Sequence, residues 1–426
     1  IAIIRVSGAE AVKISTKILT RKNFDIPGKL YLTNLIDSSG NILDKVLAVH
    51  FVKPKSYTGE DVFEIHTHGG IFIARLCLEL LIENGAELAQ PGEFTRRAFI
   101  NGRIDLSQAE GVLGIIKAQS LEALKASART LNGGLSEKIQ EIHAEILKVQ
   151  ANFEINLDFP EGEIFDSNFD PAEEIFNIKI KLENLLQLCE AGMIFNSGVK
   201  ITIAGRPNVG KSSLLNAILE KKRAIVTEIP GTTRDIISET ILINSLPVIL
   251  SDTAGLHETE NIIEAEGVKL AMNSANESDL CLFVIDGSKK ISDEELNLIN
   301  SLKDRVIVVI NKSDLVQAQE FNFDSQVHVS AKNHTGIDEL KSAIYNKAVK
   351  TPASGGELNA SAAQLRDIRE SLALIKEARE LAVNDSEPDI IAGLLNDSRV
   401  ILMRVLGLDA GDELLDFMFN RFCVGK

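Results

Sequence analysis

No stretch constrains this chain more than Gly205-Arg206-Pro207-Asn208-Val209-Gly210-Lys211-Ser212. It follows an apolar run that reads as a strand at 199–204 and leads into a helical pattern. A glycine-bearing loop in that setting lets the backbone approach an anion closely. Its N–H groups and the helix N-terminus then receive the charge. Lys211 is placed to neutralise β- and γ-phosphates and Ser212 to ligate Mg²⁺, with Asn208, Val209, Gly210 and Ser213 lining the cradle. A strand–loop–helix of this kind belongs in a doubly wound parallel sheet. The apolar runs at 199–204, 248–250, 280–285, 305–310 and 327–329, alternating with helical patterns, fit that sheet.

Three further motifs follow in order, each at a strand end. Asp252-Thr253-Ala254-Gly255 offers a carboxylate to Mg²⁺ through water and a glycine N–H to the terminal phosphate. Asn311-Lys312-Ser313-Asp314 offers Asp314 as acceptor for the N1–H and 2-amino groups of guanine, a pattern adenine lacks. Ser330-Ala331-Lys332 completes the base pocket. Between the first two lies Gly231-Thr232-Thr233, where Thr233 is the expected second Mg²⁺ ligand. A loop set on a nucleotide-free fold accounts for one such motif but not for four in sequence, so a GTP-hydrolysing domain is expected over 199–350. Small GTPases carry a water-orienting Gln directly after Asp-x-x-Gly. Here that position is Leu256, so another group must orient water.

The 426 residues are too many for one core, and two or three domains are expected. Residues 1–103 mix strand-like runs (1–6, 46–51, 62–66) with a helical run at 75–83, an α+β module. From 104 to 198 the pattern is helical. Leu135, Ile139, Ile142, Ile146, Val149 and Phe153 form one stripe, and Asp170-Pro171-Ala172-Glu173 opens a helix with the stripe Ile175, Ile178, Leu182, Leu185 and Cys189. After a break at Pro352-Ala353-Ser354-Gly355-Gly356, helical spacing returns over 351–426 through Leu365, Ile368, Leu372 and Ile375, then Leu394, Ile401 and Val405. One helical domain built from both flanks, with the nucleotide domain inserted, is the simplest architecture.

Several features narrow the partners. The net charge of −16 excludes a broadly basic nucleic-acid binder, though not a local RNA-binding patch. No apolar run approaches a membrane span, so no membrane partner is expected. Cys77, Cys189, Cys281 and Cys423 form no C-x-x-C pair, which fits a reducing, cytoplasmic setting. His66 and His68 share a strand face but have no third ligand nearby, so a structural role outweighs metal binding. Arg96, Arg97, Arg103 and Lys117 read equally as a basic strip or a solvated face. Leu414, Leu415, Phe417, Met418 and Phe422 read as core, and packing is the plain reading of Cys423.

Arg5-Val6-Ser7-Gly8, Tyr57-Thr58-Gly59-Glu60-Asp61, His68-Gly69-Gly70, Pro91-Gly92-Glu93-Phe94-Thr95, the GTPase motifs and the terminal Phe422-Cys423-Val424-Gly425-Lys426 occur in one order. In this the whole chain resembles the MnmE (TrmE) family of bacterial tRNA-modification GTPases, within the translation-factor-like class. The resemblance implies a multidomain α/β protein: an N-terminal α+β folate-binding-type domain that also dimerises (1–103), a helical domain from two flanking segments (104–198 and 351–426) and an inserted P-loop GTPase domain (199–350). It implies a 5-formyltetrahydrofolate-type donor held by Arg5, Glu64, Arg103 and Lys426, and a K⁺ ion held by Asn208, Thr227, Ile229 and Thr232. The switch segment Thr227-Glu228-Ile229-Pro230-Gly231-Thr232-Thr233 would close over GTP. Glu264 would stand in for the missing Gln, and Cys423 would join Lys211 and Glu264 as a catalytic group. The implied partners are the FAD-dependent MnmG, in a heterotetramer with the homodimer, and tRNA, whose wobble uridine would be modified at C5. The family pattern also implies a strand and loop before Ile1, on which the folate site draws. The segment after Pro352 carries fewer basic residues than the pattern implies.

Two other functions compete. A ribosome-assembly GTPase would be a switch without chemistry on RNA, commonly with a basic KH-type module. Residues 357–426 instead hold 8 Lys/Arg against 13 Asp/Glu. A folate-dependent transferase with a regulatory GTPase domain is the third reading.

Overall fold

The computed structural model describes residues 1–158, 170–219, 238–252, 278–349, 356–384, 387–408, 412–422 and 425. These fold as two compact units, one of residues 1–113, 131–179 and 367–426, the other of 114–130 and 180–366.

The first unit begins with a four-stranded antiparallel sheet in the order β1 (Ala2–Ser7), β4 (Val62–Thr67), β3 (Ile42–Phe51), β2 (Tyr31–Ile36). Period-two alternation puts Ile4, Val46, Ala48, Phe63 and Ile65 on one face. There they pack with Leu19, Cys77 and Leu81, supplied by the chain around α1 (Ala11–Lys17) and by α2 (Ile71–Glu83). The other face carries a row in cross-strand register, Ile3, His66, Leu47 and Leu32. Its aliphatic members are 55%, 39% and 58% exposed in that order.

The short α3 (Glu93–Ile100) starts at Gly92, whose φ of 69° is left-handed. A Cβ there would collide with the Phe419 carbonyl oxygen, so glycine alone lets these two backbones meet. Phe419 lies on α13 (Asp412–Phe419), and with Leu415, Met418 and Phe422 it packs on Leu106, Ala109 and Leu113 of α4 (Leu106–Lys117). Leu415, Met418 and Phe422 are therefore core, as their composition suggested; the side chains of Leu414 and Phe417 lie outside the described set.

All six members of the stripe on α6 (Gly134–Asp158) are buried. At about 1.5–3 kcal/mol each as an upper bound, they dominate what holds this helix in place. α6 packs on α12 (Pro388–Arg404), so segments on opposite sides of the nucleotide motifs in sequence meet. The buried stripe of α12 runs through Ile391, Leu395, Ser398, Ile401 and Leu402, which leaves Leu394 only partly buried. Asp170 caps α7 (Pro171–Ser197) by accepting from the N–H groups of Ala172 (2.9 Å) and Glu173 (3.3 Å). The α7 stripe Ile175 to Cys189 is fully buried.

In the second unit, six strands lie in the order β10 (Gln326–His328), β9 (Val306–Asn311), β8 (Leu280–Asp286), β5 (Val199–Ala204), β7 (Leu246–Asp252), β6 (Ser238–Ile243). All pairs are parallel except the β6–β7 hairpin. That hairpin turns on Asn244 and Ser245, both at positive φ (49° and 66°), the type I′ geometry that suits the strand twist. The remaining described α-helices are α5 (Leu121–Leu131), α8 (Lys211–Leu219), α9 (Asp293–Leu302), α10 (Ile337–Ala348) and α11 (Ala362–Val383), the last mostly within the residues of the first unit.

At the α6–α12 contact, Arg399 Nη1 lies 3.4 Å from His143 Nε2. Burial first, and the Arg399 charge second, lower the His143 pKa. A proton therefore binds His143 more readily in the unfolded chain. The stability this histidine contributes is present above its unfolded value, about 6.5, and is lost as pH falls through the lower folded value. His143→Gln is expected to show a smaller drop in melting temperature than the parent between about pH 7.5 and about pH 5.5. A drop of equal size in both would place the titration elsewhere.

Candidate functional site

The phosphate loop spans Gly205 to Gly210, between β5 and α8. Gly205 sits at φ 140°, and a Cβ on it would strike the Val284 carbonyl oxygen of the neighbouring strand β8. Asn208 takes the left-handed φ of 63°, uncommon for a residue with a side chain, and Gly210 follows at 97°. Val209, buried between them among Ile203, Leu214 and Val284, pins the loop to the core. The Lys211 ammonium donates to the carbonyl oxygens of Gly205 (2.9 Å) and Arg206 (2.8 Å), and so reaches back over the loop. Ser212 stands exposed in the first turn of α8.

The end of β9 grips this loop. Asn311 is only 2% exposed. Its Nδ2 donates to the Val209 carbonyl (2.8 Å), and its Oδ1 accepts from the Ala331 N–H (3.1 Å). One side chain thus joins the phosphate loop to the Ser330-Ala331-Lys332 segment. Lys312, at φ 62°, turns its ammonium to the Asn208 carbonyl (3.1 Å) and to Asp286 Oδ2 (2.6 Å). Ser330 Oγ donates to Asp314 Oδ1 (2.6 Å), and this bond is the main cause of the lowered Asp314 pKa. Asp314 is consequently ionised at neutral pH and acts purely as an acceptor, which guanine recognition requires.

The structure thus brings Asn208, Val209, Gly210, Lys211, Asn311, Lys312, Asp314, Ser330 and Ala331 into one bonded constellation. Asp252 closes β7, two places from β8 in the sheet, as a motif at a strand end should. Thr227, Glu228, Ile229, Pro230, Gly231, Thr232, Thr233, Thr253, Ala254, Gly255, Glu264, Cys423 and Lys426 lie outside the described residues. Asp286 was missed in the sequence because the third apolar run was ended at Ile285. It is the last residue of β8, in register with Asn311. The available signal was its place, since the neighbouring strand β9 ends on Asn311 of the site and β5 leads directly into the phosphate loop.

A second cluster lies in the first unit. Arg5 and Glu64 face each other across β1 and β4, with Nη2 2.7 Å from Oε1. The Arg5 guanidinium lies over the rings of Tyr57 (5.8 Å) and Phe94 (5.6 Å). Glu64 Oε2 is 3.3 Å from His66 Nε2, while His68 Nδ1 is 2.7 Å from Asp44. The two histidines therefore serve different carboxylates. Arg103 is exposed, with its aliphatic stem beside Gly59, whose φ of 79° turns the chain from Tyr57 toward β4. Arg97 pairs with Glu93 (2.6 Å) and Glu60 (3.0 Å), and Arg96 reaches Asp416 (3.3 Å). These two charges are answered within the protein, against the reading of a free basic strip.

Residues 106–423 match the model of the MnmE helical domain, and residues 1–103 match that of the GTP-binding protein TrmE N-terminus. The chain belongs to the MnmE (TrmE) family. A "tRNA modification GTPase MnmE" from Carboxydothermus hydrogenoformans is 40% identical, covering 100% of this chain and 96% of that protein. Proteins of the same name from Geobacter sulfurreducens and Clostridioides difficile are 39% and 38% identical, with the same coverage. As a member of the MnmE family the chain is a GTP-hydrolysing enzyme of tRNA modification that uses GTP and Mg²⁺. No helix among the described residues is long and apolar enough to cross a membrane.

Asp314→Asn is expected to shift preference from GTP toward xanthosine triphosphate, because an amide can donate to the 2-oxo group of xanthine. Unaltered selectivity in competition binding would remove Asp314 from the base pocket.

Proposed function

We propose that this enzyme hydrolyses GTP in a K⁺-dependent manner and, with the FAD-dependent MnmG and a tetrahydrofolate one-carbon donor, modifies C5 of the wobble uridine of certain tRNAs. The observation that carries this reading is Asn208: its backbone is left-handed, its carbonyl accepts from Lys312, and the residue is exposed on the phosphate loop. An amide oxygen in that place is a fitting K⁺ ligand, with Thr227, Ile229 and Thr232 as the other donors. K⁺, when bound, supplies positive charge beside the phosphates. Lys211 contributes charge from the loop itself, and Ser212 with Thr233 and Asp252 would hold Mg²⁺.

Glu264 takes the water-orienting role that Leu256 cannot fill, once the switch segment is ordered by a second nucleotide domain of a dimer. The family's domain plan (1–103, 104–198 with 351–426, and 199–350) provides that dimer through the N-terminal module. The row of exposed Ile3, Leu47 and Leu32 with half-buried His66 is a face of suitable chemistry for it. For the folate donor, a carboxylate (Glu64) beside an arginine (Arg5) and two aromatic rings suits a flat heterocycle that presents paired N–H donors. Arg103 and Lys426 would meet the glutamate tail, and Cys423 would act near the transferred carbon. The protein would work in the cytoplasm.

Nucleoside mass spectrometry of tRNA from cells lacking the protein tests the whole reading, and an unchanged wobble-uridine profile would overturn it. Hydrolysis is expected to be markedly faster in K⁺ than in Na⁺ at equal ionic strength, and Asn208→Ala should erase the difference. Equal rates in both salts for the parent would exclude a selective cation. Glu264→Ala should leave GTP affinity nearly intact while lowering turnover about 10²-fold, the size expected for a lost catalytic group.

A further inference from the structure

Asp286 lies at the end of β8 with its side chain 4% exposed, yet no nucleotide motif includes it. Its carboxylate ties Lys312 to the turn that follows β8. Oδ2 takes the Lys312 ammonium at 2.6 Å, while Oδ1 accepts from Ser288 N–H (3.1 Å) and Ser288 Oγ (2.6 Å). Gly287, the next residue, donates its N–H to the Asn311 carbonyl (2.9 Å), so the ends of β8 and β9 are also stapled through the backbone. Burial raises the pKa of this carboxyl, but the bonds from Lys312 and Ser288 outweigh that and hold it below the ordinary carboxylate value.

We propose that Asp286 is a positioning residue for the phosphate loop, acting through Lys312. The ammonium of Lys312 sits between Asp286 and the Asn208 carbonyl, 3.1 Å away, and so is shared between a buried carboxylate and the loop. Asn208 is the residue at which the loop turns left-handed, a conformation that costs free energy for any residue with a Cβ. A charge-assisted bond to its carbonyl offsets that cost and holds the following amides, 209 to 211, in their direction toward the phosphates. Without its counter-ion, Lys312 is free to turn toward solvent, because its own side chain is a third exposed. Asp286 thus sets how long the loop retains a diphosphate, while guanine selection stays with Asp314. The inference rests on the loop being the phosphate site, and nucleotide binding by the parent chain tests that separately.

The experiment measures dissociation of fluorescent N-methylanthraniloyl-GDP from the full chain in four forms: parent, Asp286→Asn, Lys312→Met and the double variant. The amide is isosteric and keeps an oxygen for Ser288, but turns a donor toward the ammonium. Asp286→Asn is expected to release GDP about tenfold faster or more, with kcat at saturating GTP within about threefold of the parent. In the Lys312→Met background the same substitution should add almost nothing, because its effect travels through the missing ammonium. An unchanged release rate in Asp286→Asn, or effects that multiply in the double variant, would overturn the proposal. A lowered melting temperature with an unchanged release rate would show a merely structural role and overturn it equally. Should Asp286→Asn not fold, Ser288→Ala gives the milder test: release about twofold faster supports the clamp, and the parental rate contradicts it. If the parent chain itself fails to bind the nucleotide, the phosphate-site assignment falls and the clamp that rests on it falls with it.

Discussion

The nucleotide site depends on one buried amide. Asn311 donates to the phosphate loop and accepts from Ala331, so that loop and the Ser330-Ala331-Lys332 segment are tied to each other through a single side chain. Neither bond is exposed to water, and leaving either partner unmade costs about 1–3 kcal/mol. That penalty makes the arrangement close to all-or-none. The glycines of the loop serve the same approach: a Cβ on Gly210 would occupy the place of the Asn311 amide. The parallel sheet matters here because it brings the C-terminal ends of β5, β8 and β9 side by side, the edge at which such folds bind ligands.

The N-terminal cluster is organised by different physics. Arg5 and Glu64 are opposite one another in an antiparallel register, so their pairing follows from strand alignment and not from any loop. The Tyr57 and Phe94 rings beside the guanidinium lower the local dielectric and strengthen the pair. Around it, Ser7, Thr58, Glu60 and Arg97 form a connected polar network. Ser7 Oγ is 2.7 Å from Thr58 Oγ1 and 2.8 Å from Glu60 Oε2. This network ties the Tyr57-Thr58-Gly59-Glu60-Asp61 turn to β1 and α3. A motif whose residues are widely separated in the chain thereby becomes one surface.

Long helices with sustained stripes were legible from spacing alone. The α6 and α7 stripes each bury every residue that the periodicity marked, because 3.6-residue repetition sustained over about four to five turns leaves no other amphipathic solution. Short or edge elements were not. α1 has seven residues, too few for a period to stand out, and β6 pairs on one side only. The turn that joins β6 to β7 uses Asn-Ser in place of the commoner Asn-Gly, so its hairpin signal was weak. On α12 the spacing pointed to Leu394, whereas packing against α6 selected Leu395, one residue and 100° away around the helix.

By itself the sequence determined the chemistry of the nucleotide site, since each motif is contiguous and places its own donors within one loop or helical turn. It also determined which helix faces are apolar, for the same local reason. Tertiary structure alone decided how those pieces engage. The Asn311 amide meets Val209, Lys312 finds Asp286, Arg97 is consumed by Glu60, and Gly92 admits the Phe419 backbone. Each of these contacts joins residues 26 or more positions apart. Their partners are set by strand order and register, which depend on how the whole sheet buries its faces and which no local stretch of residues encodes.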